Sequence, residues 1–471
     1  MTSTKKLSVT LDGQMIPLEA TADDFGELVR LYAANPLYRA ATFGDRVIED
    51  DPYRRPVRPD DLEWVDYSTP INRDNAQELS SLIGQRILLN VFDTRKTLLP
   101  KDFTEERREE HELFYAERNL LIGEAVRPYL ERHLYGFVEA EAAERVGDLT
   151  AAGLYARLND LQEARRASAA RLGALVSGSP DARRASTTIA IQLLGQALNG
   201  PARVLPGGSE VLGGTPMRMP AVGTDDLAEN ALREFFAAAE LRTEPHAYYQ
   251  FYLPSTMGLM NYLNANAHNA GRAYRYLGAL CAHGINTRAQ LGRLAEFAVG
   301  VGGVSTLADR AAAGGPLPAG TRELVAAAVD RWGGFAAAEL SRGLEEYAIL
   351  LDVHDEDVLA QLTWVDSAPA CKEKAERLQR GIVENNVEVD LDTFVESWEE
   401  CSTTHVHDED RLLIIETGEM EFYNSFEGTH RFYPGDKMFI PKHRLHGSVV
   451  LSGECVYHQP VITPELAARL G

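Results

Sequence analysis

The sequence predicts a multidomain α+β protein: an N-terminal helical segment, an all-helical bundle, and a small C-terminal β-barrel or double-sheet jelly roll. Three observations carry this. The chain is 471 residues long, which leaves room for about three domains at roughly 150 residues each. Apolar residues recur at helical spacing through the middle of the chain. After about Asp390 the period drops to two, in short runs separated by Gly and Pro turns.

Composition narrows the function. At 45% hydrophobic and 25% charged residues the chain can fill several cores. Lys and Arg number 47 against 70 for Asp and Glu, a formal net charge of −23. Polyanions are repelled by such a surface, so neither nucleic acid nor an anionic membrane is the expected partner. Cys281, Cys371, Cys401 and Cys455 form no CxxC pair, which argues against a disulfide framework or a thiolate zinc site and suits a reducing compartment. There is no signal-type apolar core at the N-terminus and no run of the roughly 18 apolar residues that a membrane span requires. The expected location is the cytoplasm.

Residues 1–101 read as an irregular N-terminal segment, with prolines and arginines clustered in Asp50–Pro59 (DDPYRRPVRP). Residues 102–385 read as helical. Asp102 and Glu105 are spaced as a capping box, and Pro128 predicts a kink or break. Helices follow over about Thr150–Leu175, Asp181–Leu198, Asp225–Leu241, His246–Leu280, Thr287–Val299, Thr321–Trp332 and Phe335–Leu351. The Gly/Pro-rich stretch Asn199–Thr224 has no periodicity and reads as a loop or lid. Residues 386–471 carry the β pattern, with strands expected at Arg411–Ile415, Glu419–Tyr423, Lys437–Ile440, Gly447–Leu451 and Glu454–His458.

Six of the 12 histidines fall between residues 405 and 458, where an even scatter would place only one or two. His405 and His407 are one residue apart, so on a strand both imidazoles point to the same side. Downstream runs Gly435-Asp-Lys-Met-Phe-Ile-Pro441-Lys-His-Arg-Leu-His446: a turn glycine, a strand, a proline and a histidine. Together with the HxH pair and Gly418 this resembles the two-part motif of the cupin family. Carried over by position, the resemblance implies that His405, His407 and His446 bind a metal. The position of the cupin glutamate is taken by Arg411, which cannot ligate a cation. Arg411 is then either a strand residue paired with Asp408 or Glu409, or a guanidinium beside the metal that binds an anionic substrate group. Three neutral imidazoles suit Fe, Zn, Cu or Ni. His443 is expected to be solvent-exposed, and His430 and His458 to serve packing or to support the ligands from behind.

The resemblance extends further. NPLY and DPYRRPVRP near the start, VRPYLERHLYGF, YYQFYL, RYLGAL and RGLEEYAILL in the middle, then QLTWVDSAP, RLHG and ECVY, resemble the N-nitrosourea-forming metalloenzymes of the streptozotocin type over nearly the full length. That resemblance implies a dimerising helical segment, a haem-oxygenase-like diiron oxidase domain and an iron cupin. It also implies a homodimer, and a reaction in which a guanidine nitrogen is hydroxylated and the product rearranged with O2. The middle domain departs from the family. ALNGP at Ala197–Pro201, Asp225–Glu229 and Ala311–Gly320 stand where the family has diiron ligands, so a diiron centre is not expected. The expectation is therefore one Fe(II) in the cupin, acting with O2 on a small N-oxygenated guanidine or amino-acid-like molecule delivered by a separate N-oxygenase. Two other functions compete: a different cupin dioxygenase or isomerase, and a non-catalytic scaffold for that oxygenase. Oxygen dependence separates the first pair, and an inert metal site would favour the scaffold.

Overall fold

The computed structural model describes residues 71–93, 117–194, 226–242, 247–301, 319–397 and 404–470, with two short N-terminal strands and scattered positions between 29 and 115. The Gly/Pro-rich stretch, Glu244 and His246, and most of the first hundred residues lie outside the described set.

The helical unit contains α1 (Leu79–Asp93), α2 (Glu117–Arg145), α3 (Ala151–Gly178), α4 (Ala182–Ile189), α5 (Asp226–Ala238), α6 (Pro254–Ala267), α7 (Ala273–Leu291), the short α8 (Leu294–Phe297), α9 (Ala319–Asp366) and α10 (Ala368–Glu384). Their starts follow local chemistry. Thr150 caps α3 by accepting from the Gly153 N–H, and Asp181 caps α4 by accepting from Arg184. Pro128 neither breaks nor ends α2, which runs through it for 29 residues. The flanking leucines, valines and tyrosines of α2 are buried in the main core, and this packing outweighs the one lost backbone bond. The segment expected as one helix over His246–Leu280 divides instead into a 3₁₀ turn at Tyr249–Phe251, then α6, then α7, and the next expected helix, Thr287–Val299, is split between the end of α7 and the short α8. The two helices expected on either side of Gly333 are one 48-residue element kinked there, with Gly333 at φ 57°. α9 and α7 cross where only glycine fits. A methyl group on Gly343 would overlap the Arg275 carbonyl, and one on Gly278 would come 2.9 Å from the Leu344 nitrogen.

The helical core also buries charge. Tyr262 donates to Glu346, whose Oε1 lies 3.6 Å from Arg275, and Arg165 pairs with Asp355. His283 and His354 are buried, and loss of water holds both imidazoles down to about 4. The unfolded chain therefore binds protons on these two groups between about pH 6.5 and 4, while the folded chain does not. Stability is lost as pH falls through that window, on the order of 1.4 kcal/mol per pH unit for each fully buried histidine. Glu346, raised by burial to about 7, acts with the opposite sign between about pH 4.5 and 7. In urea melts of the metal-free protein, His283→Asn is expected to lose less stability than wild type between pH 6.5 and 5. An unchanged difference would refute a neutral buried His283.

Among the described residues, the C-terminal unit holds seven strands in two antiparallel sheets. With β1 (Ser8–Leu11) and β2 (Gln14–Pro17) forming a separate N-terminal hairpin, they are β3 (Thr393–Ser397), β4 (Arg411–Thr417), β5 (Met420–Ser425), β6 (Gly428–Phe432), β7 (Lys437–Ile440), β8 (Gly447–Val450) and β9 (Glu454–His458). One sheet has the order β3-β9-β4-β7 and the other β6-β5-β8. The five expected strands are present, and β3 and β6 are additional. Leu412, Met420, Phe422, Phe432, Met438, Val450 and Tyr457 belong to one buried cluster that also takes in Trp364 and Ala368 of the helices. α11 (Pro464–Leu470) closes the chain against α10, where Gly381 meets Leu470. No described helix is long and apolar enough to cross a membrane.

The two units share a core. Val406, Tyr423 and Leu445 of the β unit are buried in the same cluster as Phe235, Tyr249, Phe251, Val358 and Leu362 of the helices. Fully burying one such aliphatic side chain stabilises by about 1.5–3 kcal/mol. Arg86 of α1, with no exposed surface, donates to the Thr404 carbonyl and hydroxyl, both at 2.6 Å.

Candidate metal centre

His405 and His446 come from segments about forty residues apart and are joined by an isolated antiparallel bridge. The His405 N–H donates to the His446 carbonyl at 2.8 Å, and the His446 N–H returns a bond to the His405 carbonyl at 3.0 Å. The His443 N–H adds a third link, to the His407 carbonyl at 2.7 Å. Extended backbone alternates its side chains. Val406 and Leu445 therefore turn into the helical core while His405, His407 and His446 turn the other way. The three rings converge, with centroids 4.5, 4.9 and 5.0 Å apart, and one ligand nitrogen from each lies within 4.8 Å of the others.

Electrostatics and hydrogen bonding prepare these rings for a cation. His446 Nδ1 lies 2.8 Å from the Arg444 carbonyl. A carbonyl can only accept, so Nδ1 carries the proton and Nε2 keeps its lone pair. The Nε2 atoms of His446 and His407 are buried and have no hydrogen-bond partner. Burial, the neighbouring imidazoles and, for His407, the Arg411 charge hold the pKa values of both rings well below the usual histidine range. Both are neutral at pH 7 and need lose no proton to bind a metal. Orphaned, neutral, converging nitrogens fit a mid-size divalent transition metal. Phe422 stacks on His446 at 5.3 Å and Trp364 meets it edge-on at 6.1 Å, forming an apolar wall.

The loop carrying His446 is held by the helical unit. Gln361 of α9 accepts from the Leu445 N–H at 3.0 Å and donates to the Leu445 carbonyl at 2.8 Å and the Asn424 carbonyl at 3.0 Å. Arg444 is buried; it donates to the Asp357 carbonyl at 3.2 Å and to Gln77, and its guanidinium lies 3.5 Å from the Asp357 carboxylate. Asp357 in turn accepts from Ser255 at 2.7 Å, and the same hydroxyl lies 3.2 Å from His354 Nδ1. Burial pushes the Asp357 carboxyl up and the Arg444 guanidinium down, each partly offset by the other's charge. None of these supports was foreseen from the sequence. The signal was the run His354-Asp-Glu-Asp357 and Gln361, polar positions on a helix that is otherwise apolar on both sides of them.

Arg411 begins β4 beside the site. Its Nη1 donates to Asp392 and to the Gln459 carbonyl at 2.5 and 2.9 Å, and its Nη2 lies 3.6 Å from Glu409. The acidic run that precedes it is employed elsewhere. Asp408 accepts from the Leu79 N–H at the start of α1, and Asp410 accepts from the Lys442 N–H. His443 is 9% exposed at φ 63°, with Nε2 3.9 Å from Glu78, which corrects the expectation that it faces solvent. Packing of its loop against the start of α1 is the reason. His458 bonds Thr393 at 2.9 Å, and His430 stacks on Phe432.

No family model matches the chain. Nitrosourea synthase of Streptomyces achromogenes subsp. streptozoticus is 29% identical over 466 residues, covering 94% of this chain and 96% of that protein. The chain is a homologue of nitrosourea synthase. The similarity runs nearly end to end, over the span that carries the motifs from NPLY to ECVY. In this nitrosourea synthase homologue, His405, His407 and His446 are the one cluster of three or more potential metal ligands among the described residues.

Proposed function

We propose that the chain is a mononuclear non-haem iron enzyme. Its C-terminal cupin would hold one Fe(II) on His405, His407 and His446 and carry out an O2-dependent oxidative rearrangement, of the N–N or N-nitroso-forming kind, on a small N-oxygenated guanidine or amino-acid-like substrate. The observation that carries the reading is the convergence of three imidazoles, of which His407 and His446 are neutral and turn buried nitrogens without another partner toward the common point. When bound, the iron supplies one-electron chemistry and a place where a chelating substrate and O2 meet.

The chain's own residues do the rest. Phe422 and Trp364 exclude water from one side of the triad. The Arg444 carbonyl holds the His446 proton on Nδ1. Arg411 places positive charge near His407 and would favour an anionic group on the substrate. The helical unit, of haem-oxygenase-like type in this reading, supports the cupin and holds no diiron centre, so the N-hydroxylated substrate would come from a separate N-oxygenase. The assembly would be a homodimer.

The test is metal content and oxygen uptake. The protein, loaded anaerobically with Fe(II) and desalted, is expected to retain about one iron per chain and to consume O2 only when an N-hydroxyguanidine is added. Retention of two or more irons per chain, or none, would overturn the reading. Turnover without O2 would favour an isomerase instead.

A further inference from the structure

The strand that carries His446 has two edges, and different partners fill them. In an extended chain the backbone N–H and C=O groups of successive residues point to opposite edges. Those of His446 point to His405, which takes both in the antiparallel bridge. Those of Leu445 and Gly447 therefore point the other way, toward β5. Gly447 stands opposite Tyr423 there, in a register that continues with Ser448 on Phe422, Val449 on Glu421 and Val450 on Met420. Carried back to Leu445, the same register would call for Ser425. Ser425 does not take that place. The β5–β6 pairing shifts between Tyr423 and Ser425, and Ser425 is turned to Gly428 on β6.

Leu445 is buried, so its backbone groups cannot turn to water instead. The Gln361 carboxamide takes both of them. Its Oε1 accepts from the Leu445 N–H at 3.0 Å, and its Nε2 donates to the Leu445 carbonyl at 2.8 Å. A primary amide carries the same donor and acceptor as a peptide unit, so Gln361 makes the pair of bonds that a neighbouring strand would make. Its Nε2 also donates to the carbonyl of Asn424, at the point where β5 turns away. Residues on the same face of α9 continue the match. Asp357, one turn earlier, holds Arg444, and Trp364, one turn later, lies edge-on to the His446 ring. Residues 357, 361 and 364 thus meet residues 444, 445 and 446 in order.

We infer that Gln361 is a positioning residue of the metal centre: its carboxamide stands in for a missing strand beside Leu445 and so keeps the next residue, His446, on His405 with its ring turned to the triad. The consequence for metal binding rests on the metal-enzyme reading above; the placement of the backbone does not. Gln361 acts through Leu445 alone and touches none of the three imidazoles. Without it, three buried backbone groups lose their partners, and a swing of residues 444–446 toward water is the direct way to satisfy them. That swing would carry His446 away from His405 and His407.

Two variants of the full-length protein test this, each checked for folding by circular dichroism. Gln361→Met keeps the side-chain volume and removes all three bonds; Gln361→Glu keeps the acceptor and loses the donors. Tyr135→Phe, which removes the hydroxyl that donates to Gln85 and the Gly258 carbonyl in the helical core, supplies a loss of stability unrelated to the loop. In metal-free protein, hydrogen–deuterium exchange of peptides covering 404–407 and 443–447 is expected to be about tenfold or more faster in the Gln361 variants than in wild type or Tyr135→Phe. Co(II), titrated as the probe, is expected to bind the Gln361 variants roughly 10–100-fold more weakly, with an altered visible spectrum, and to give Tyr135→Phe the wild-type spectrum. Unchanged exchange in either folded Gln361 variant, or Co(II) bound there with wild-type affinity and spectrum, would overturn the inference. So would equal losses in Tyr135→Phe, because Gln361 would then only stabilise the fold. If wild type itself takes up no Co(II) while the exchange difference persists, the metal reading falls and the positioning of His446 stands.

Discussion

Asp357→Ala is expected to destabilise the folded chain by about 3–5 kcal/mol, because it leaves the Arg444 guanidinium buried with its charge uncompensated. Asp357 has no exposed surface and Arg444 is 6% exposed, so water cannot replace the lost carboxylate without opening the interface. The Ser255 hydroxyl loses its carboxylate acceptor at the same time. The loss is expected as a shift of the urea midpoint with little change in slope. Fe(II) affinity should fall as well, roughly 10–100-fold, the usual cost of removing an outer support of a metal ligand. Arg444 carries the carbonyl that fixes the His446 tautomer, and its displacement frees that ring. Arg444→Met with Asp357→Leu removes both charges and is expected to recover much of the stability but not the metal affinity. A single Asp357→Ala variant as stable as wild type would show that the pair does not hold the loop.

His446→Ala is expected to abolish stable iron binding, with a larger loss than the roughly 10–100-fold attributed to outer partners. Two imidazoles on one short segment cannot enclose a cation from opposite sides, and the third arrives only through the His405–His446 bridge. The bridge is made by backbone atoms, so it survives the substitution and the fold is expected to be retained. That separates ligand loss from unfolding. Competition with a chromophoric chelator measures the affinity, and the electron paramagnetic resonance spectrum of the iron–nitric oxide adduct reports whether any bound iron remains. Iron retained with an unchanged spectrum would place the metal elsewhere.

The parts of this molecule written in local sequence were legible; those that depend on distant partners were not. His405, His407 and His446 stood out because an HxH pair and a Gly-to-His segment signal themselves within a few residues, and the β period around them fixes which side they face. β6 was missed because Gly428-Thr-His-Arg-Phe432 carries exposed Thr429 and Arg431 and too few apolar residues to read as a strand. The break offered at Pro128 is absent because tertiary packing along α2 outweighs a local rule. The support of His446 was invisible for a further reason. Asp357 and Gln361 lie 87 and 84 residues from Arg444 and Leu445, and a polar residue on a helix reads as solvent-facing until its partner is placed.

Val406 and Leu445 give the join between the units a consequence for how the molecule comes apart. Their side chains are core residues of the helices, while the histidines beside them are the proposed ligands. Cutting the chain near residue 386 would strip the wall behind those histidines along with Gln361 and Asp357, so the C-terminal piece is not a detachable module. Helices and sheets should melt in one cooperative step, and heat would dismantle the histidine triad and its scaffold together.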